Sequence, residues 1–237
     1  MEEQAGVHIV KSYDEELEHL DQLIARMGVL AEQQLGRAMQ ALTRGDAELA
    51  RQVIAADEEI DALESEVDAL AVRILALRQP MGKDLRRVVA AMKTSCNLER
   101  IGDYARNIAK RSLVLPDLPG QYGGYSIIER MAAMVGEMVG DVLLACRESD
   151  IRRAAAVRMR DESVDQLNNS LFRELLTYMM ENPRTITPSM HLLFIAKNLE
   201  RIGDHVTNIA EHVHVMASGE PPDPERPKRD NSSQATA

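Results

Sequence analysis

Two pairs of carboxylates stand at the same place in a segment that occurs twice in the chain. Residues 97–110 read NLERIGDYARNIAK and residues 198–211 read NLERIGDHVTNIAE, so ten of fourteen positions are identical. Each copy places a Glu and an Asp four residues apart, as Glu99 and Asp103 and as Glu200 and Asp204. On a helix this spacing puts both carboxylates on one face, one turn apart.

A second pair of acids precedes each of these segments. Asp57 and Asp61 correspond to Asp161 and Asp165 at a constant offset of 104 residues. If the helices that carry the pairs are antiparallel neighbours, four carboxylates converge in each half of the chain. Like charges held that close repel unless a cation or protons intervene. Carboxylate oxygens suit Mg, Ca, Mn or Fe, and carboxylate-bridged zinc is also possible, so the pattern predicts a metal-binding face in each half.

The alternative for these acids is a solvated face whose carboxylates pair with neighbours such as Arg100 or Arg201. Because the acids recur at matched positions in the two halves of the chain, the sequence supports a metal site and a solvated acidic face equally. Asn107 and Asn208, one turn beyond the aspartates, are candidates for further ligands or for surface or inter-helix hydrogen bonds.

The remaining residues offer no convincing catalytic centre. No Ser/His/Asp or Cys/His triad, P-loop or GxGxxG motif stands out. His205 and His212 are predicted to be exposed rather than ligating. These observations favour a binding or regulatory protein over an enzyme.

Composition restricts the fold and the partners of the chain. Only 3% of the 237 residues are aromatic, Ala, Leu, Met, Glu and Arg are abundant, and strand-type alternation is absent, which together predict an all-α protein. The formal net charge of −10 argues against nucleic acid as a partner, because phosphate backbones are bound by clustered Lys and Arg. Neither a signal peptide nor an apolar run long enough to span a membrane is found. We therefore expect a soluble cytoplasmic protein.

Gly and Pro residues divide the chain into six predicted helices in two groups of three. The first unit covers 12–115 and the second 126–217; a linker at 116–125, rich in Pro and Gly, joins them, and a polar tail at 218–237 is predicted to be disordered. The first helix is expected to begin after Ser12, which forms a capping-box pattern with Glu15. Because the repeat spans whole helices, the two units are expected to be copies of one three-helix bundle.

Several motifs together resemble the PhoU family of phosphate-transport regulators. They are the doubled LERIGD, the RQP at 78–80, the LLTYMMENPRTI stretch at 175–186 and the early YDEEL at 13–17. The resemblance runs from about His8 to Met216. It implies two similar three-helix bundles, and multinuclear metal clusters held through the acid motifs of the family. Carried over position by position, the ligands are Asp57, Asp61, Glu99, Asp103, Asp161, Asp165, Glu200 and Asp204.

The resemblance also implies a function. PhoU-like proteins help to silence the phosphate-starvation regulon when phosphate is plentiful, by linking the Pst phosphate transporter to a PhoR-type sensor histidine kinase, and many are dimers. The expected protein is thus a non-enzymatic, metal-binding adaptor, with Fe, Zn, Mn or Mg as cofactor. It would reach the membrane only through its partners. The alternatives are a metal-dependent enzyme acting on a phosphate compound and a purely structural bundle.

Overall fold

Six α-helices make up the described part of the chain, which in this computed structural model comprises residues 2–115 and 123–222, with side chains from residue 12 onward. No strand occurs within those ranges, and the predicted all-α class is confirmed. The helices are α1 (Glu2–Arg44), α2 (Ala47–Arg78), α3 (Gly82–Ser112), α4 (Tyr125–Glu148), α5 (Ile151–Glu181) and α6 (Ile186–Ser218), and one 3₁₀ turn, Pro183–Thr185, precedes α6.

The turn between the first and second helices has the same structure in both units. Asp46 caps α2 by accepting hydrogen bonds from the backbone N–H groups of Glu48 and Leu49 at 3.1 and 3.0 Å. Asp150 caps α5 in the same way. The residue before each cap, Gly45 or Ser149, has a positive φ, of 63° or 51°. The repeat therefore preserves the turn as well as the helices.

The start of α1 differs from the prediction. The helix begins at Glu2 and passes through Ser12, so Ser12 is not a cap. The Ser12 hydroxyl instead accepts a hydrogen bond from Nη2 of Arg78 on α2, at 3.0 Å. A Ser preceding Glu by three residues fits a capping box in sequence, but here no Pro interrupts the helix and a neighbouring helix engages the hydroxyl. The described residues exclude most of the predicted linker, namely 116–122, and most of the predicted tail, namely 223–237.

Each unit buries one apolar face of each of its three helices. On α3 the fully buried side chains include Leu98, Ile101, Ala105 and Ile108. On α2 they include Ile60, Val67 and Ile74, with slight exposure at Leu63 and Leu70. Met131 and Met138 of α4 are also fully buried and fill the core of the second unit. Helix α1 packs on α2 and α3, and α4 packs on α5 and α6, which gives the two predicted three-helix bundles.

The two bundles join mainly through their third helices, α3 and α6, which run in opposite directions. Asn97, in the first half of α3, contacts Asn208 late in α6, and Arg111 near the end of α3 lies 4.0 Å from the ring of Phe194 near the start of α6. Helices α1 and α4 add a second contact, at which the Tyr125 hydroxyl lies 2.8 Å from Oγ1 of Thr43. The front layer is thus α2–α3–α6–α5, with α1 and α4 behind it.

Polar side chains fill the seam between α3 and α6. Oδ1 of Asn97 lies 2.8 Å from Nδ1 of His205, and Nδ2 of Asn97 lies 3.5 Å from Nε2 of His212. Tyr104 and His205, which occupy equivalent positions of the repeat, face each other with ring centroids 5.6 Å apart. Both histidines are half-buried, so the prediction that they are exposed was wrong. The sequence repeat gives no sign that its two copies pack against each other.

The seam makes stability depend on pH. Burial, and secondarily the cation of Lys93, lowers the pKa of His212 to about 4 from 6.5. Because protonation then favours the unfolded chain, we expect the contribution of His212 to the free energy of unfolding to be complete above pH 6.5 and to be lost as pH drops from 6.5 to 4. Allowing for partial exposure, His212 should contribute roughly 1–2 kcal/mol to this loss.

Denaturant unfolding of the wild type and of His212→Gln at pH 8 and at pH 4.5 checks this expectation. The stability lost between the two pH values should be smaller in the variant by that amount. Equal losses in the two proteins would show that His212 does not titrate in this way.

No helix in the described ranges is both long and apolar enough to cross a membrane.

Candidate metal centre

The first group of predicted ligands is organised around a buried carboxylate on α2. Asp57 is 2% exposed. Its Oδ1 accepts a hydrogen bond from Nε2 of Gln34 on α1 at 3.0 Å, and its Oδ2 accepts one from Nη1 of Arg106 on α3. Nη2 of Arg106 pairs with Oδ1 of Asp103 at 2.5 Å. The arginine therefore joins one acid from each of the two motifs of the first unit.

Asp61 and Glu99, the other two acids of the first unit, lie near Asp57 and Asp103. Partial burial, and then the charges of Asp57 and Asp103, raises the pKa of Asp61. Burial, and then the charge of Asp103, raises the pKa of Glu99 to about 7. Asp61 also contributes to the shift of Glu99. The four carboxylates named from the sequence thus lie within electrostatic reach of one another, as the antiparallel arrangement of α2 and α3 requires. We refer to them as the first cluster.

The second cluster, Asp161, Asp165, Glu200 and Asp204, occupies the equivalent place between α5 and α6. Asp161 is 3% exposed, as buried as its counterpart in the first unit. Glu200 pairs with Nζ of Lys197 at 2.7 Å. Close to this cluster, Arg158 of α5 pairs with Glu211 of α6 at 3.4 Å. The position equivalent to Arg106 is Thr207, which is fully buried and donates a hydrogen bond to the backbone oxygen of Asp204.

A glycine in the middle of α3 and another in the middle of α6 make room for the buried aspartates. A Cβ atom on Gly102 would lie 3.3 Å from Oδ1 of Asp57 and 3.1 Å from Oε1 of Gln34. A Cβ atom on Gly203 would lie 3.0 Å from Oδ1 of Asp161. Two such positions in equivalent helices show why a residue that weakens a helix by roughly 1 kcal/mol recurs in the repeat.

A branched residue at this position should therefore destabilise the protein. We expect Gly102→Val to lower the free energy of unfolding by about 1–3 kcal/mol, because its side chain would displace the buried Asp57 or Gln34. Chemical denaturation measures the change. Gly36→Ala is the matched control: Gly36 is also helical but has no atom within 4 Å of its Cβ position. That control should stabilise the protein by about 0.5–1 kcal/mol. A neutral Gly102→Val would contradict the close packing.

The side chains of the two clusters suit hard cations chemically, because their donor atoms are carboxylate oxygens. Among the described residues, however, no three Asp, Glu, His or Cys side chains are arranged so as to hold one metal ion. The metal centre therefore stays a prediction. Asn208 is one of the two candidate amide ligands. Its side-chain Nδ2 donates a hydrogen bond to Oδ1 of Asn97 on α3 at 3.3 Å, which is the inter-helix hydrogen bond named above as its alternative role. Asn107 is half-buried on α3.

Two residues that contact the first cluster could not be named from the acid spacing. Gln34 interrupts the apolar stripe of α1, and a polar residue on a buried stripe is the signal that should have pointed to it. Arg106 follows Asp103 by three residues on the same helix face, a spacing typical of an ion pair. Its second contact, to Asp57, joins residues 49 apart in sequence and is visible only in the structure.

Comparison with known proteins gives matches along almost the whole chain. The family model described as the PhoU domain matches residues 24–112 and again 128–213. The protein named phosphate-specific transport system accessory protein PhoU homolog in Caulobacter vibrioides is 52% identical over 96% of this chain and 99% of its own length. A protein of the same name in Rhizobium meliloti is 43% identical over 95% of each chain.

Two solved structures have the same fold. The crystal structure of PhoU from Pseudomonas aeruginosa superposes with a TM-score of 0.83 at 37% identity, covering 88% of this chain and all of that one. The phosphate transport system regulatory protein PhoU from Streptococcus pneumoniae gives 0.82 at 30% identity, covering 89% of this chain and 99% of that one. Both matches extend over the two bundles.

Proposed function

Because the chain belongs to the PhoU family, we propose that it is an accessory protein of phosphate transport that represses phosphate uptake and the phosphate-starvation regulon when phosphate is plentiful. It acts as an adaptor between the Pst transporter ATPase and a PhoR-type sensor histidine kinase, and not as an enzyme. It works in the cytoplasm as a homodimer, binds no nucleic acid, and reaches the membrane only through these partners. Metal ions such as Fe, Zn, Mn or Mg bind at the acid motifs.

The observation that carries the adaptor role is an exposed apolar surface on the front layer. Its side chains recur every four residues on α5 and again on α6, on either side of the turn at Pro183–Thr185. They are Phe172, Leu176, Met180, Ile186, Met190 and Phe194, and all six are exposed. We call this surface the α5/α6 face. A contiguous apolar patch on two antiparallel helices is typical of a surface that binds another protein.

The charges around the α5/α6 face indicate the chemistry of the partner. Arg111 lies over the ring of Phe194. In the sequence, Arg173 follows Phe172 and Arg184 precedes Ile186 by two residues, while one acid, Glu181, follows Met180. These basic residues are notable in a chain with a net charge of −10. The face therefore suits an amphipathic helix with acidic flanks, supplied by one of the two proposed partners.

Deleting the gene in the source organism tests the proposed function. In phosphate-replete cells, alkaline phosphatase activity should rise when the gene is absent and return to its low level when the intact gene is restored, provided that this enzyme belongs to the regulon. Unchanged low activity would show that the chain has the fold of the family without its regulatory role. Copurification with the transporter ATPase and the kinase tests the adaptor role separately.

A further inference from the structure

A protein cation, the guanidinium of Arg106, is already paired with the first cluster. Arg106 is only 28% exposed at its side chain, and its two terminal nitrogens pair with Asp57 and Asp103. A guanidinium held between two carboxylates in this way satisfies the same oxygen atoms that a metal ion would use. On the outer side, Arg100 pairs with Asp103 at 3.0 Å and with Glu99 at 3.3 Å.

Both oxygens of the buried acid of the first cluster already accept a hydrogen bond from a side chain. Oδ2 of Asp57 is taken by Arg106, and Oδ1 is taken by Gln34, whose Nε2 is also anchored on the backbone oxygen of Val53 at 3.2 Å. A metal ion that bound both Asp57 and Asp103 would have to displace a partly buried guanidinium from its two carboxylate partners. That exchange is unfavourable, because a buried charge that loses its partner is strongly destabilising.

We propose that Arg106 closes the first cluster to metal ions, so that the acid motifs of the first unit form a salt-bridge network that joins α2 to α3. The equivalent position of the second unit carries the uncharged Thr207, so the arginine that pairs with two carboxylates from this position occurs only in the first unit. We call this arrangement of Arg106, Asp57 and Asp103 the lock. The inference rests on the proposed metal binding, since it divides the eight predicted ligands between two different roles. The acid motif is complete in both units, yet the first unit is expected not to bind metal ions.

Metal binding by the full chain tests the proposal, with Mn²⁺ as the probe. The purified protein is loaded with Mn²⁺, passed through gel filtration and analysed for bound metal, and titration calorimetry measures the affinity. Arg106→Thr, which gives the first unit the residue of the second, should bind at least one Mn²⁺ per chain more than the wild type. Its melting temperature without metal should fall and should recover when Mn²⁺ is added, because the ion then neutralises Asp57.

Two controls make the result specific to the first cluster. The double variant Arg106→Thr/Asp57→Asn removes the buried charge and should lose the extra Mn²⁺. Asp57→Asn alone is nearly isosteric and should leave the metal content of the otherwise wild-type chain unchanged. Equal metal content in the wild type and Arg106→Thr would overturn the proposal.

A fall in metal content on Asp57→Asn alone would also overturn the proposal, and this measurement remains decisive if Arg106→Thr fails to fold. It would leave the proposed metal binding standing, since the first cluster would then be a metal site. A wild type that binds no Mn²⁺, beside an Arg106→Thr variant that gains one ion, would support the lock and contradict the metal binding proposed for the wild-type protein. The two ideas can therefore fail separately.

Discussion

Replacing Ile101 by Ala is expected to lower the free energy of unfolding by about 3–4 kcal/mol, because the side chain is fully buried in the first bundle and its removal leaves a cavity. Ile202, its equivalent in the second bundle, is equally buried and should give a similar loss. Because α3 and α6 pack along each other, we expect either substitution to shift one transition shared by the whole chain. Chemical denaturation followed by circular dichroism measures both effects.

A graded control separates cavity formation from other causes. Ile101→Val removes one methyl group and should cost about 1 kcal/mol. If Ile101→Ala instead splits the unfolding curve and moves only part of it, the two bundles unfold independently. The polar seam between α3 and α6 would then be weaker than its contacts suggest.

Placing two charges on the α5/α6 face should abolish regulation without unfolding the protein. Leu176→Glu with Met190→Glu is expected to weaken binding of the proposed partner by about 100-fold or more, because it buries two acidic groups in an apolar contact. Both side chains are more than 40% exposed, so the free energy of unfolding should change by about 0.5 kcal/mol or less at each position. Alkaline phosphatase activity in phosphate-replete cells and binding to the purified kinase and ATPase report the loss.

The repeat supplies a matched control for this prediction. Val72 and Val89 occupy the equivalent positions on α2 and α3 and are also exposed. Val72→Glu with Val89→Glu should keep phosphatase activity low. If both double variants lose repression equally, or if neither does, the α5/α6 face is not the specific docking surface.

The sequence predicted the helices well where glycine and proline mark their ends. Gly45-Asp46, Pro80 and Asn182-Pro183 each coincide with an observed break, because these residues end or begin helices for local steric reasons. Ser12 was misread, because a hydroxyl that resembles a cap in sequence is engaged by Arg78 from another helix. Local signals thus gave the elements, and contacts between helices decided which signals were used.

The sequence predicted which acids form the candidate site, but it did not predict which residues pair with them. The spacing of Glu99 and Asp103 places them on one helix face whatever the tertiary structure, and the same holds for Glu200 and Asp204. The lock formed by Arg106 depends on the approach of α3 to α2, which no spacing within one helix encodes. The burial of His205 likewise depends on the packing of one copy of the repeat against the other.

The seam between α3 and α6 has the geometry of a symmetric dimer interface enclosed in a single polypeptide. Arg201 lies 5.7 Å from the ring of Tyr104. Its equivalent Arg100 acts on His205, the equivalent of Tyr104: burial mainly lowers the pKa of this histidine, the charge of Asp204 opposes the shift, and the cations of Arg100 and Arg201 add to it. In a dimer of identical chains every substitution appears on both sides of the axis at once. Joining the copies removes that constraint, so one half can carry Arg106 while the other carries Thr207 at the equivalent position.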